Sequence, residues 1–546
     1  MMLKARADLL QSTDSELASI LNAFNGGYIT AGPGGDPILN PATVPTGKNL
    51  YGIDPERTPS KESYAVGKQL AEELIQSKLR SSGKYPEKVA FSLWGGEFIR
   101  TQGVNVAQIF YLLGVEPVWD SRGRVQDVRL IPMSELKRPR IDVVIQTSGQ
   151  FRSAAASRMK LIDKAVMLAA TDPDGEFGNY VRSNSQEITR VLIAQGMSPY
   201  DAKQLANARI FGGVNGNFGT GAMGMAQATG QWEDSGEIAE LYLNNMGAIY
   251  TEGHWGEHNP EMFKAAIRNT DTVVQSRSSN SWGPLSLDHV HEFTGGLNLV
   301  SRHVNGGKDP EAFFNDLRTP GAAKIQSARE AAMVEAHSTV LNPKYISEMM
   351  QEGAAATGHF QEVFRNTLGW EIMKPDMLED HLWQQYKDVY VDDKHHLGVK
   401  TFFEQNNPAA LQDMTGVMLE AIRKDFWQAD EQTTRQIVDL HVKITLKHDL
   451  PPTDNPKLQA MIQKYLSDPE LRKSFEQQVQ KAAEARKAAD KIKATAEVNG
   501  MQLKAQTPDR PEPGDTVMAL KVIGAIIAAA LSAIITGNII RRRKRK

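Results

Sequence analysis

Ile141-Asp-Val-Val-Ile145, running into Gln146-Thr-Ser-Gly-Gln-Phe-Arg152, is the stretch that decides the fold. Four β-branched apolar residues around one Asp make the short, continuous run expected of a strand buried on both faces. Thr-Ser-Gly ends it, and Ser157 to Ala170 reads as a helix. Upstream, Val89-Ala-Phe-Ser-Leu-Trp94 is a second such run, closed by Gly95-Gly96. Between the two, Val106, Ile109, Phe110 and Leu113 fall at i, i+3, i+4 and i+7, the spacing of one helix face. Ser60 to Ser81 is a further helix, opened at Pro59-Ser60 and closed before Gly83. Glu116-Pro-Val-Trp119 and Val125 to Ile131 are strand candidates about the Asp120–Gly123 turn. This rhythm predicts an α/β fold built from parallel-sheet βαβ units, followed by a mainly helical region. Ligands of such sheets sit beyond the carboxyl ends of the strands. Those ends carry Trp94-Gly-Gly-Glu97, Trp119-Asp120 and Thr147 to Arg152.

Working outward, the divisions expected are an N-terminal helix and entry segment over 1–50, an α/β domain over 51–175 and a Gly/His-rich α/β domain over 176–345. A helical domain over 346–465, a helical stalk and Pro-rich linker over 466–515, and an apolar helix with a basic tail over 516–546 complete them. Val522 to Ile540 is uncharged, close to the ~20 residues that cross a bilayer, and six basic residues follow it. A single C-terminal transmembrane helix, anchoring the chain to a membrane, is therefore expected. The basic tail argues for a body outside, whereas an ATP-driven cytosolic partner argues for a body inside, so the side is left open.

Composition narrows the chemistry. With no Cys among 546 residues, disulfides, thiolate metal sites and a Cys nucleophile are excluded. Ahead of the six-residue basic tail the chain carries 56 basic against 65 acidic residues, a balance that argues against a nucleic-acid binder. Gly47-Lys48 is followed by Asn49 and lacks the upstream Gly of a nucleotide-binding P-loop, so no nucleotide site is expected in this chain. Gly219-Thr-Gly-Ala-Met-Gly224 fits a dinucleotide pattern but follows Asn215-Gly-Asn217 rather than a strand. Its glycines can instead bring backbone N–H groups close to a ligand, which makes Gly219 and Gly221 binding candidates.

Two histidine pairs stand out: His254/His258 within Glu252-Gly-His-Trp-Gly-Glu-His258, and His289/His291 within Asp288-His-Val-His-Glu292. Imidazoles beside carboxylates suit a borderline divalent ion and can remove protons near neutral pH. Gly253 and Gly256 exclude a regular helix for the first pair, and with it a zincin-type site. Trp94, Trp119, Phe151, Trp232, Trp255 and Trp282 sit beside Gly, polar or charged residues, positions from which aromatics can line a flat apolar pocket or simply anchor loops.

Jointly these motifs resemble a known family. Leu39…Pro45-Thr-Gly-Lys-Asn49…Asp54-Pro55 is similar to the opening block of the large subunit of cobaltochelatase and magnesium chelatase, the CobN family. Val89 to Gly96 with Arg100-Thr101, Leu113-Gly-Val-Glu-Pro-Val-Trp-Asp120, Arg138-Pro-Arg-Ile-Asp142 and Ser148-Gly-Gln-Phe-Arg152 resemble later blocks. So do Arg209-Ile-Phe-Gly212, Gly216–Gly221, Trp232, Gly295-Gly296 and Asn342-Pro343, and the likeness spans roughly 10–450. Ser153 stands where the family pattern has Asp, and the tail after about 450 lies outside the pattern.

The resemblance implies the C-terminal portion of a chelatase large subunit. Such a portion would insert Co²⁺ into a hydrogenobyrinic-acid-type tetrapyrrole in cobalamin biosynthesis, with Mg²⁺ into protoporphyrin as the alternative. ATP would be hydrolysed on AAA+ partner subunits, and a separate chain would supply the N-terminal region. With this resemblance in view, His254, His258, Glu252 and Glu257 are the catalytic candidates and His289, His291 and Asp288 the metal candidates. Arg100 and Arg152 are candidates for ring carboxylates, with Trp94, Gly219 and Gly221 beside them. A non-catalytic, membrane-anchored carrier of tetrapyrrole or metal is the rival reading.

Overall fold

Eight strands form one sheet: β1 (Lys88–Leu93), β2 (Asp142–Thr147), β3 (Ile210–Gly212), β4 (Ala248–Thr251), β5 (His254–His258), β6 (Thr270–Arg277), β7 (Glu311–Asp316) and β8 (Lys324–Ser327). Their spatial order is β8-β7-β6-β1-β2-β3-β4-β5. The computed structural model describes residues 2–495 except 35, 36, 38–40, 52, 174, 215–218, 281 and 380. It divides into a unit Met1–Ala482 and a unit Ala483–Lys546, the second described only as the end of helix Pro469–Thr495.

The sheet is mixed rather than parallel. β7, β6, β1, β2 and β3 run parallel, but β8 pairs antiparallel with β7, and β3, β4 and β5 pair antiparallel. The antiparallel additions lie toward the two edges; β7–β8 and β4–β5 are joined by short connections, whereas β3 reaches β4 through the helices Ala222–Gln227 and Ser235–Asn245. Val115–Trp119 and Val125–Leu130 form a separate antiparallel hairpin outside this sheet. The chain as a whole is mainly helical.

Among the described residues no helix is long and apolar enough to cross a membrane. The expected transmembrane helix and membrane anchoring are corrected on that finding. The segment that suggested them, 516–546, lies outside the described residues.

The period-two alternation of strands explains the layering. Val89, Phe91, Val143 and Ile145 point to one core, shared with helices Lys61–Ser82, Val104–Leu112 and Gly149–Thr171. Ala90 and Val144 point to the other, which continues into the C-terminal helices through Phe360, Phe364, Trp370, Trp383 and Tyr386. Local signals hold where they were strongest: Ser60 accepts from Ser63 N–H at the start of the first of these helices, and Gly83 closes it at φ 69°. The helix after β2 starts at Gly149, earlier than its apolar pattern suggested, because Ser148 caps it directly.

At the amino ends of the strands Asp142, fully buried, holds Arg209 Nε at 2.9 Å and Lys88 Nζ at 3.4 Å. Lys88 also donates to the carbonyls of Ala266 and Arg268, and burial pushes its ammonium down to about 8. This pole of the sheet is tied shut. The opposite pole is open.

Candidate functional site

Beyond the carboxyl ends of β1, β2, β3 and β6 lies a cavity of about 410 Å³. Trp94 follows β1, Thr147 to Arg152 follow β2, Gly213 follows β3 and Trp282 follows β6. Gly96, Gly219, Met246, Leu287, His289 and Phe293 complete the lining. Trp94 stands edge-on to Phe293 at 6.1 Å and donates through Nε1 to Ser92 Oγ, so its ring faces are held in place. The walls are mostly apolar and aromatic, with few polar groups converging between them, the usual make-up of a small-molecule pocket.

The polar lining comes mainly from Thr147 to Arg152, and His289 joins it from the helical turn Asp288–Val290, just ahead of a second turn that sets its geometry. Residues His291–Gly295 form a π-helical turn, a geometry that re-aims side chains and recurs at functional sites. Glu292 is 2 % exposed, yet every oxygen is used. Its Oε1 accepts from Thr220 N–H at 2.7 Å and Thr220 Oγ1 at 2.8 Å, while Oε2 meets His289 Nδ1 at 2.8 Å. Burial pushes the carboxyl up, but the bonds from His289 and Thr220 outweigh it and hold it below the usual range. The same hydrogen bond raises His289 above an ordinary imidazole. A carboxylate only accepts, so Nδ1 of His289 carries the proton and a neutral ring leaves the Nε2 lone pair free for chemistry. Glu292 therefore orients the His289 imidazole and pins the Gly-rich loop at Thr220. Gly221 follows at φ 75°, where Asn245 Nδ2 reaches Thr220 O at 2.8 Å and a Cβ would stand 2.7 Å from Asn245 Nδ2.

The arginines differ. Arg152 is buried, donates to Thr147 O at 3.1 Å and lies 4.5 Å from the Tyr250 ring centre at the cavity wall. Arg100 is one ring further out: its guanidinium stacks on Trp282 at 3.3 Å.

The other candidates lie elsewhere. His254, Glu257 and His258 are on the edge strand β5, with Glu252 at the turn before it. His254 Nδ1 and Glu257 Oε2 pair at 2.6 Å at the surface, and His258 Nε2 meets Asn244 O. Glu252 N–H donates to Asp163, a carboxyl that burial pushes up to about 6. His291 is buried on the far side of the π turn, and burial pushes its imidazole down to about 4. Asp288 accepts from His289 N–H. Among the described residues no three His, Asp or Glu side chains are grouped to hold a bare metal ion.

Of the aromatic candidates, Trp94 and Trp282 line the cavity. Trp119 donates to Pro59 O, Phe151 packs on Phe98, Trp232 lies under Lys424, and Trp255 is exposed beside Tyr250. Glu292 carries the geometry although no role was expected of it. Its helical i, i+3 spacing from His289 was the available signal.

A fold of this kind with this site defines a class. The sequence profile of the CobN/Magnesium Chelatase family matches residues 1–434, and the chain belongs to that family. It is 29 % identical over 440 residues to the aerobic cobaltochelatase subunit CobN of Sinorhizobium sp., covering 79 % of this chain and 34 % of that protein. It is also 29 % identical over 435 residues to the chloroplastic magnesium-chelatase subunit ChlH of Oryza sativa subsp. japonica, covering 79 % of this chain and 30 % of the relative. The catalytic subunit of cobaltochelatase from Mycobacterium tuberculosis superposes with a TM-score of 0.74 at 28 % identity, over 80 % of this chain and 36 % of that one. The chain thus spans about a third of the length of these relatives.

Proposed function

We propose that this chain is the ring- and metal-handling portion of a chelatase large subunit, inserting Co²⁺ into a hydrogenobyrinic-acid-type tetrapyrrole. The observation that carries this reading is the His289–Glu292 pair at the edge of an aromatic-walled cavity. Metallation exchanges two ring N–H bonds for metal–nitrogen bonds: one dication enters and two protons leave. An oriented neutral imidazole is suited to take such protons one at a time. Trp94, Phe293 and Trp282 offer flat apolar surface to a macrocycle, and Arg152 and Arg100 offer guanidinium groups for its carboxylates. Gly219 lies across the cavity, beside the loop that Glu292 pins.

Cobalt is preferred to magnesium because the sequences of the Gly216–Gly221 loop and the Glu292–Gly296 segment resemble the cobalt enzymes of the family more than its magnesium branch. ATP hydrolysis is assigned to AAA+ partner subunits and the N-terminal region to a separate chain. Titration with a free-base tetrapyrrole should shift its Soret band, and the shift should weaken in Trp94→Ala. No spectral change at micromolar protein would sink the reading. Ring binding without insertion, once Co²⁺ and the partner subunits are supplied, would favour a carrier.

A further inference from the structure

Helix Met2–Phe24 is mounted the wrong way round for a surface helix. Such a helix normally turns its apolar stripe to the core and its polar face to water. Here the face that meets the body is polar. Between residues 4 and 24 the only half-buried positions are Asp8, Ser12, Ser15 and Ser19, which fall at i, i+4, i+7 and i+11 on one side of the helix. Ser12 Oγ accepts from Thr46 N–H at 3.1 Å, Ser19 Oγ donates to Gly47 O at 2.6 Å, and Glu16 Oε1 accepts from Thr46 Oγ1 at 2.6 Å. Gly47, at φ 84°, lets the loop lie flush on the helix, since a Cβ there would come 2.6 Å from Ser15 O.

The apolar side chains point the other way. Leu9, Leu10, Leu17, Ile20, Leu21 and Phe24 are each more than half exposed, and so are Tyr28 and Leu50 on the segment that follows. Eight of the sixteen large apolar side chains exposed among the described residues thus fall within the first 50 positions, too concentrated to be ordinary surface scatter. Leu10, Thr13, Leu17, Ile20 and Phe24 follow the alternating three- and four-residue spacing of a helix-pairing seam, with Leu9 and Leu21 on its flanks.

Two observations say what covers this seam. The family profile matches from residue 1, so the helix belongs to the part shared with the relatives. Those relatives carry about two thirds of their length beyond the part that this chain spans. We propose that the outward face of helix Met2–Phe24 is the docking surface for a polypeptide equivalent to those two thirds, which seats an apolar face of its own on Leu10, Leu17, Ile20 and Phe24. The identity of that partner rests on the chelatase reading, which assigns the N-terminal region to a separate chain; the exposed seam does not.

Photo-crosslinking in the cells of origin tests it, with p-benzoylphenylalanine replacing Phe24 in the full chain. The adduct should yield peptides that match the CobN/Magnesium Chelatase family outside the stretch equivalent to residues 1–434. The same probe replacing Tyr200, exposed on helix Pro199–Leu205, should not capture that partner. Adding Leu17→Glu and Ile20→Glu should cut the Phe24 adduct about tenfold or more, because each sets a charge against an apolar face. Both side chains already stand in water, so the circular dichroism and Tm of that double variant should be unchanged. An adduct with a second copy of this chain, with lipid or with an unrelated protein overturns the proposal, as does no adduct or a yield that the double variant leaves within twofold. No residue of the helix lines the ring cavity, so the double variant should keep the Soret shift. Capture of the partner without a Soret shift keeps the docking surface and loses the chelatase; a Soret shift without the adduct does the reverse.

Discussion

His254/His258 and His289/His291 look alike in the sequence, two imidazoles each with acids one to three residues away, yet the fold treats them differently. The first pair sits on β5, an edge strand with side chains in water, and its His254–Glu257 contact is a surface pair between half-exposed groups. Such pairs contribute little. The second pair adjoins a π turn beside the ring cavity. There Glu292 is buried, and its contacts are fixed on three sides. Residue type and spacing nominate a site. Burial beside a cavity selects it, because a desolvated carboxylate holds an imidazole far more firmly than a hydrated one.

The largest effect expected from this contrast is on insertion rate. His289→Ala should lower metal insertion about a hundredfold or more, as loss of an oriented base does. The double variant His254→Ala/His258→Ala should stay within twofold. Equal losses in both, measured in the same stopped-flow assay, would erase the distinction.

Glu292→Gln sharpens it further. The Gln amide donates where the carboxylate accepted, so the His289 tautomer is reversed and the rate should fall about tenfold. Glu292 also raises the His289 pKa, which keeps the base protonated and idle up to a higher pH. Removing that charge should move the acid limb of the pH–rate profile to lower pH. An acid limb that stays in place would assign it to another group.

Burial alone is tested at Glu97, 3 % exposed and close to the ring cavity without lining it. It accepts from Ser278 N–H and Oγ through one oxygen and leaves the other unpartnered, and burial pushes it up to about 7. A folded-state pKa above the unfolded value means that stability falls as pH rises from about 4.5 to about 7. Glu97→Gln should therefore stabilise the chain at pH 8 by roughly 3 kcal/mol and leave it unchanged at pH 4. Denaturant midpoints at the two pH values decide it. A loss of stability at pH 8 that is absent at pH 4 would mean that the charge is used.

Much of the scaffold was legible. Val89–Trp94 and Ile141–Ile145 are central strands because a continuous β-branched and apolar run has no other low-energy fate beside Gly-Gly and Thr-Ser-Gly stops. The short and the polar strands were not legible. β3 is three residues long, β5 is polar, and both are strands only because a neighbour offers backbone partners.

By itself, the sequence determined the central strands, the cap at Ser60, the exclusion of thiolate chemistry and the family, since these depend on local propensity and ordered motifs. Which histidines face a cavity, that Glu292 joins Thr220 to His289 across 72 residues of chain, and that helix Met2–Phe24 turns its apolar side chains away from the body were decided only by the tertiary structure. Those facts depend on which faces are buried together, and desolvation is a property of the packed molecule rather than of any segment.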